Sequence, residues 1–260
     1  MTPDFSIILP AYNNLGLFTK CLHSILMQEG VTFNVFVVDD SVNNDIENYI
    51  SNIKDERIIY THNTPPLGAV RNWNSGLKKI DGNIGIVIHH DESLAYNHAL
   101  RDIKEEIAEH HVVISKVRVS NGGREYTLMP DWIRRWARCL PSALFAVNSI
   151  GPCACIAFKT EHMAFFDERL EWFVDTEWYY QIIAHHSTYV SDTIRVCSSH
   201  GHKGQITNNI NINSTAKRDY KLLRKKYRKN ISVTAALFIN IYIIHNNIIN
   251  KIIHAITRRD

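Results

Sequence analysis

The sequence predicts an α/β protein with a mostly parallel central sheet flanked by helices and a helical extension at its C-terminus. Three observations carry that prediction. Apolar strand-like runs at Phe5 to Leu9, Phe33 to Val38 and Ile84 to Ile88 each end in a polar loop. Helix-period segments lie between them. The spacing of strand, helix and strand within about forty residues demands right-handed parallel crossovers, which gather the carboxyl ends of the strands at one edge.

The first strand, Phe5 to Leu9, runs into Pro10-Ala11-Tyr12-Asn13-Asn14. Leu17, Phe18, Cys21, Leu22, Ile25 and Leu26 then repeat at helical spacing, with Asn13 or Asn14 as the N-cap. The second strand closes on Asp39 and Asp40. The pattern continues through Arg57 to Thr61, a helix from Gly68 to Ile80, and the strand that delivers His89-His90-Asp91-Glu92. In the helix after Gly68, Val70, Trp73, Leu77 and Ile80 mark the packed face, which leaves Arg71 free to reach the crevice.

Past residue 95 the alternation fades. A helix is expected over Leu100 to Ile107, a strand near Val112 to Val119, a turn at Asn121-Gly122-Gly123 and an aromatic segment from Asp131 to Trp136. A further helix carries Asp175 to Ile183, and a strand from about Tyr189 to Val196 leads into the loop Ser198 to Asn209. This divides the chain into a ligand-binding half over residues 1–95, a second half over 96–213, and a basic, amphipathic helical extension over 214–260.

The bulk numbers agree with a folded enzyme-sized unit. At 260 residues and 45% hydrophobic content, the chain can bury a substantial core. Net charge is only +3, yet Lys217 to Lys229 holds eight basic residues and a single acid, Asp219. Five cysteines form no CxxC pair, so free thiols in a reducing cytoplasm are expected rather than zinc or disulfides. The N-terminus carries no secretory pattern. In Ile231 to Ile256, Asn240, Asn247, Lys251 and His254 share one helical face, and the longest apolar run breaks at Asn240, short of a bilayer span. A helix of this kind beside a basic segment suits peripheral contact with an anionic membrane. Packing on the rest of the chain, or on a second subunit, is the equal alternative.

The strand ends offer the parts that hold a nucleoside diphosphate: polar groups for the base, a cation across the phosphates, and carboxylates for that cation. A carboxylate at Asp39 or Asp40 can accept the imide N–H of a pyrimidine, although an Asp pair also makes a turn. Asp91 and Glu92 emerge directly from an apolar strand, where a divalent ion would offset their repulsion. Neither GxGxxG nor GxxxxGK[ST] follows any strand, which argues against dinucleotide oxidoreductases and P-loop NTPases.

The ordered set Ser6-Ile7-Ile8-Leu9-Pro10-Ala11-Tyr12-Asn13, Val38-Asp39-Asp40-Ser41, Gly68-Ala69-Val70-Arg71-Asn72-Trp73-Asn74 and His89-His90-Asp91-Glu92 resembles family 2 glycosyltransferases of the GT-A fold. The likeness continues through Phe166-Asp167-Glu168-Arg169 and Trp172 to Tyr180, and covers roughly residues 5–209. It implies a nucleotide-sugar donor in the N-terminal half, residues 1–95, and the acceptor in the half over residues 96–213. Pro10, Ala11 and Tyr12 would line the nucleotide pocket, Asp39 or Asp40 would bind the base, and Arg71 would approach the base or the diphosphate. Asp91 matches the last acid of the family's metal motif, for Mn²⁺ or Mg²⁺. His89 stands where the first acid is expected and His90 fills the middle position, so His89 is also a candidate for the nucleotide. Asp175 matches the base that takes the acceptor's proton, with Glu177 as the second candidate. The loop around His202 and Lys203 resembles one that closes over the donor, which would bring both residues to the diphosphate.

The resemblance implies an inverting transferase that moves a sugar to an acceptor hydroxyl, on a glycan or lipid-linked acceptor in bacterial surface-polysaccharide synthesis, peripheral on the inner face of the membrane. The rivals are a nucleotidyltransferase, which lacks its Gly-rich basic loop here, and a non-catalytic module that binds a nucleotide sugar or glycan, for which the altered His89-His90-Asp91 motif argues. No nucleic-acid motif accompanies the basic segment, so no nucleic-acid partner is expected.

Overall fold

The computed structural model describes residues 2–201 and 211–246. The chain begins β1 (Phe5–Ala11), α1 (Leu15–Leu26), β2 (Phe33–Asp39), α2 (Asp45–Ser51), β3 (Ile58–His62), α3 (Ala69–Leu77) and β4 (Ile84–Val87). It continues through β5 (Glu92–Leu94), α4 (Ala99–Ile107), β6 (Val112–Asn121), β7 (Arg124–Thr127) and two four-residue helices, α5 (Asp131–Arg134) and α6 (Trp136–Cys139). A 3₁₀ turn at Pro141–Phe145 precedes β8 (Ile156–Lys159), α7 (Val174–Ile183), β9 (Thr188–His200), α8 (Ile212–Lys226) and α9 (Ile231–Asn246).

Among the described residues nine strands form one sheet in the order β3-β2-β1-β4-β8-β6-β9-β5, with β7 paired to β6. Strands β1 to β4 are mutually parallel, β8 runs antiparallel between β4 and β6, and β9 is parallel to β6. Strands β1, β2, β3, β4, β6 and β9 therefore share one direction. The chain winds outward from β1 to β3 and returns to place β4 on the other side of β1. The carboxyl ends of β1 and β4 thus flank a topological switch point, the place where open α/β sheets hold ligands.

The central strands are buried on both faces: Phe5, Ile7, Ile8 and Leu9 of β1 are fully enclosed. Each contributes about 1.5–3 kcal/mol relative to an exposed side chain. Asn14 caps α1 by accepting from the backbone N–H of Leu17 at 3.1 Å. In α3, Trp73 and Leu77 are buried as expected, but so are Asn72 and Asn74. Their amides are satisfied by main chain, Asn72 Nδ2 donating to the Val38 carbonyl (2.9 Å) and Asn74 Nδ2 to that of Phe166 (3.0 Å). Hydrogen-bonded polar groups can be buried at little net cost, so this helix is enclosed on more sides than its apolar stripe implies.

Strands β5, β7 and β8 and helix α2 were not expected from sequence. β8 is a four-residue apolar run buried in mid-sheet, too short for periodicity to identify. The C-terminal extension is helical, but its orientation differs from expectation. Asn240, placed on the polar outer face, turns inward and its Nδ2 donates to the Ala146 carbonyl at 2.8 Å. The outward residues are instead Ile231, Phe238, Ile239 and Tyr242. Asn247, Lys251 and His254 lie outside the described residues. Among the described residues no helix is long and apolar enough to cross a membrane. All five cysteines are free thiols.

Candidate functional site

The turn after β4 is fixed by Glu92. Its buried carboxylate accepts from the His89 backbone N–H (2.9 Å) and faces His89 Nδ1 at 3.4 Å, while Cys21 Sγ donates to the His89 carbonyl. With Nδ1 turned to Glu92, Nε2 is buried with no hydrogen-bond partner. The ring packs on Trp73, centroids 4.6 Å apart. Burial opposes a charged imidazole, but the carboxylates of Glu92, Asp91 and Asp175 outweigh it and push the His89 pKa up to about 9. Burial pushes the Glu92 carboxyl up, and His89 pulls it back.

This has a pH consequence. The imidazole titrates near 6.5 in the unfolded chain. The stabilisation from charged His89 is therefore complete below that pH and is lost as the pH rises through about 9. The melting temperature is expected to fall between neutral pH and pH 9, and His89→Gln to flatten that slope. An unchanged slope in the variant would place the titrating group elsewhere.

At the end of β2, Asp39 accepts from the Ser41 backbone N–H (2.9 Å) and from the Tyr60 hydroxyl (2.8 Å). Asp40 accepts from Leu67 N and Gly68 N, each at 2.7 Å, and from Asn63 Nδ2 at 3.1 Å. Both carboxylates are buried. Asp40 thereby pins the loop that feeds α3, at Gly68, whose φ of +86° favours glycine although space for a Cβ is open. Nearby, Pro10 and Ala11 are buried in β1, and Tyr12 is exposed beyond its end.

A crevice of about 490 Å³ opens between the start of α3 and the segment that leads into α7, lined among others by Arg71, Trp73, Glu168, Trp172, Asp175 and Asn240. Arg71 is exposed and pairs with Glu168 across 3.3 Å. Asp175 lies within electrostatic reach of both His89 and Asp91. Its Oδ1 is 3.6 Å from the buried Cys153 thiol, which is the donor. Burial pushes the Asp175 carboxyl up, against the pull of His89.

Glu177 is not brought to this crevice. Two residues apart on a helix, it points away from Asp175. It is fully buried, accepting from Lys226 Nζ (2.8 Å), the Tyr227 hydroxyl (2.6 Å) and Gln181 Nε2 (2.7 Å). That arrangement makes it an anchor for α8, with its charge already matched.

Asp219, the single acid of the basic run, is fully buried. One of its oxygens accepts from the backbone N–H groups of Glu171 (2.9 Å), Trp172 (2.7 Å) and Phe173 (3.3 Å), the turn that enters α7. Sequence reasoning assigned it nothing, although an isolated acid among eight basic residues was a signal. Cys153 and Asn240 carried no such signal. The Asn240 Oδ1 is buried without a partner.

His90 and Asp91 are half-buried on the same turn, and the Asp91 carbonyl accepts from Ser199 N at 2.9 Å. This ties the end of β9 to the acidic turn. His202 and Lys203 lie outside the described residues. Among the described residues no three His, Cys, Asp or Glu side chains are arranged as a metal cage. The half-buried carboxylate of Asp91 fits a hard cation that takes the rest of its ligands from phosphate and water, as Mg²⁺ commonly does, while the charged His89 ring offers its buried, unpartnered Nε2–H to an oxyanion.

Residues 6–168 match the model of the family described as glycosyl transferase family 2. An uncharacterized protein of Mycobacterium tuberculosis (strain CDC 1551 / Oshkosh) is 36% identical over 92 residues, 35% of this chain and 29% of that protein's length. Among solved structures, S. aureus TarS 1-349 in complex with UDP-GlcNAc superposes with a TM-score of 0.70 at 17% identity, over 91% of this chain and 72% of that one. The mannosyltransferase PcManGT from Pyrobaculum calidifontis, in complex with GDP-Man and Mn²⁺, gives 0.61 at 16% identity, over 93% of this chain and 70% of that one. At these identities the likeness is one of fold.

Proposed function

The chain belongs to glycosyl transferase family 2, and from that premise we propose that it is an inverting glycosyltransferase that moves a sugar from a nucleoside-diphosphate donor to the hydroxyl of a lipid-linked glycan. The observation that carries this reading is the shared crevice, in which Asp175 stands within electrostatic reach of the His89–Asp91 turn while Arg71 lines the same space.

In this reading Asp175 takes the acceptor's proton, on the face opposite the leaving diphosphate. The Cys153 thiol holds one carboxylate oxygen, which leaves the other for the acceptor. Asp91 would hold a divalent cation, which supplies charge neutralisation at the diphosphate, and the charged His89 would donate to the nucleotide. Arg71, at the mouth, exchanges its exposed partner Glu168 for a phosphate or for the base. Asp39 shapes the base pocket with Pro10, Ala11 and Tyr12, and Asp40 holds the loop before α3 in place. His90, His202 and Lys203 complete the donor side.

The acceptor's lipid would sit at the inner face of the membrane, reached through the C-terminal extension in surface-polysaccharide synthesis. Supporting this, Lys217, Lys221, Arg224, Lys225 and Arg228 line a groove of about 620 Å³ at α8, with Ile241 of α9 as its other wall. None of these cations forms an ion pair with an acid among the described residues. Each Lys or Arg near anionic headgroups adds about 1 kcal/mol.

The test is calorimetric titration with UDP, dTDP and GDP, each with and without Mn²⁺, on the native chain and on Asp91→Ala. One nucleotide is expected to bind with metal, and to lose that binding in the variant. No binding under any condition would overturn the donor site.

A further inference from the structure

Among the described residues the Asp175 side chain has one direct hydrogen-bond donor, and that donor is a thiol: Cys153 Sγ stands 3.6 Å from Oδ1. Cys153 is fully enclosed in the 3₁₀ turn Cys153–Cys155. A thiol so enclosed is chemically inert, and its role lies in what it touches. Its position is built from two sides. Upstream, Asn148 Oδ1 accepts from the backbone N–H groups of Ile150 (3.1 Å) and Gly151 (3.0 Å). Gly151 holds a φ of +110°, a left-handed conformation, and a Cβ there would crowd Leu128 and Val117 at 3.1 Å. From α7, Tyr179 lies one helical turn beyond Asp175 on the same face. Its hydroxyl donates to the Gly151 carbonyl at 2.9 Å and stands 3.6 Å from Sγ. The helix that carries the carboxylate and the turn that carries the thiol are thus clamped together beside their contact.

Donor strength decides what this contact does. A hydrogen bond to a carboxylate stabilises the charged form and makes it a poorer base. A hydroxyl in this place would do so strongly, whereas an S–H is a weak donor. Burial and the neighbouring Asp175 push the Cys153 thiol up, so it stays protonated and goes on donating. Of the charged groups that face Asp175 from the turn after β4, His89 favours its anion and Asp91 opposes it. We propose that Cys153 is the positioning residue for Asp175: its thiol fixes one carboxylate oxygen and, as a weaker donor than a hydroxyl, keeps the other basic enough to take a proton. A general base works best when its affinity for the proton is matched to the operating pH, and the choice of sulfur over oxygen at residue 153 serves that match. The inference rests on the assignment of Asp175 as the base above.

The test is carbon NMR titration of the full chain labelled at its aspartate carboxyls, native and with Cys153→Ser or Cys153→Ala, the Asp175 resonance being identified by its loss in Asp175→Asn. The Asp175 midpoint is expected to fall by about one pH unit in the serine variant and to rise in the alanine variant. The acid limb of donor hydrolysis, measured with UDP-glucose, dTDP-glucose and GDP-mannose, should move in the same order. Above that limb the alanine variant should turn over about tenfold more slowly, through lost orientation, and the serine variant should recover most of the rate. Coincident midpoints in all three chains overturn the inference, and a lower melting temperature of the alanine variant would not rescue it, since lost packing alone produces that. Nucleotide calorimetry separates the two readings. Midpoints in the expected order in a chain that binds no nucleotide would sink the transferase and keep the hold of the thiol on the carboxylate, whereas nucleotide binding with coincident midpoints would do the reverse.

Discussion

Asp175→Asn is expected to lower sugar transfer by about 10²- to 10⁴-fold while nucleotide affinity stays unchanged. The amide preserves volume and can still accept from the Cys153 thiol, but it cannot take a proton. A loss confined to the chemical step is therefore the signature of a base. A matching loss of nucleotide affinity would make Asp175 a binding residue instead. The pH profile gives a second reading. Burial raises the Asp175 carboxyl, and the active form is the charged one, so the acid limb should fall at a pH above the ordinary aspartate range. Glu177→Gln should leave that limb in place, since its carboxylate is turned toward Lys226 and Tyr227.

The largest effect on stability is expected at Asp219. Replacing it with alanine removes one carboxylate and leaves three main-chain donors at residues 171–173 without their acceptor. Hydrogen bonds to charged groups contribute about 1.5–3 kcal/mol, and a net loss of about 2–4 kcal/mol is expected because Glu171 and Trp172 can partly rehydrate. Thermal melting would show this as a fall of several degrees. Asp219→Asn should show roughly half of that loss, because an amide oxygen still accepts. Equal melting temperatures for the alanine variant and the native chain would mean that the turn holds itself.

The first four strands were legible because hydrophobic runs alternate with the two helices of clear period, α1 and α3. Polar strand ends then had to meet at one edge. The opposite facing of Asp175 and Glu177 was legible in principle, since residues two apart on a helix cannot share a face. The direction in which each points was not, because it depends on Lys226 and Tyr227, about fifty residues away. Strand β8 was hidden by its shortness. For α9, a helical wheel shows that Asn240 stands apart from Phe238 and Tyr242, but not which side is inward. That choice was made by one main-chain carbonyl, at Ala146, and no local pattern reports it.

The contact of Asp219 with residues 171–173 also bears on where this chain can be divided. The family match ends at residue 168, which invites a truncation that keeps the matched part and discards the tail. Yet the turn that presents Asp175 is held by a side chain from α8, so the tail is a structural part of the site as well as an attachment. Chimeras that exchange the C-terminal helices between relatives should carry α7 and α8 together. An exchange between them would pair each Asp175-bearing turn with a foreign cap.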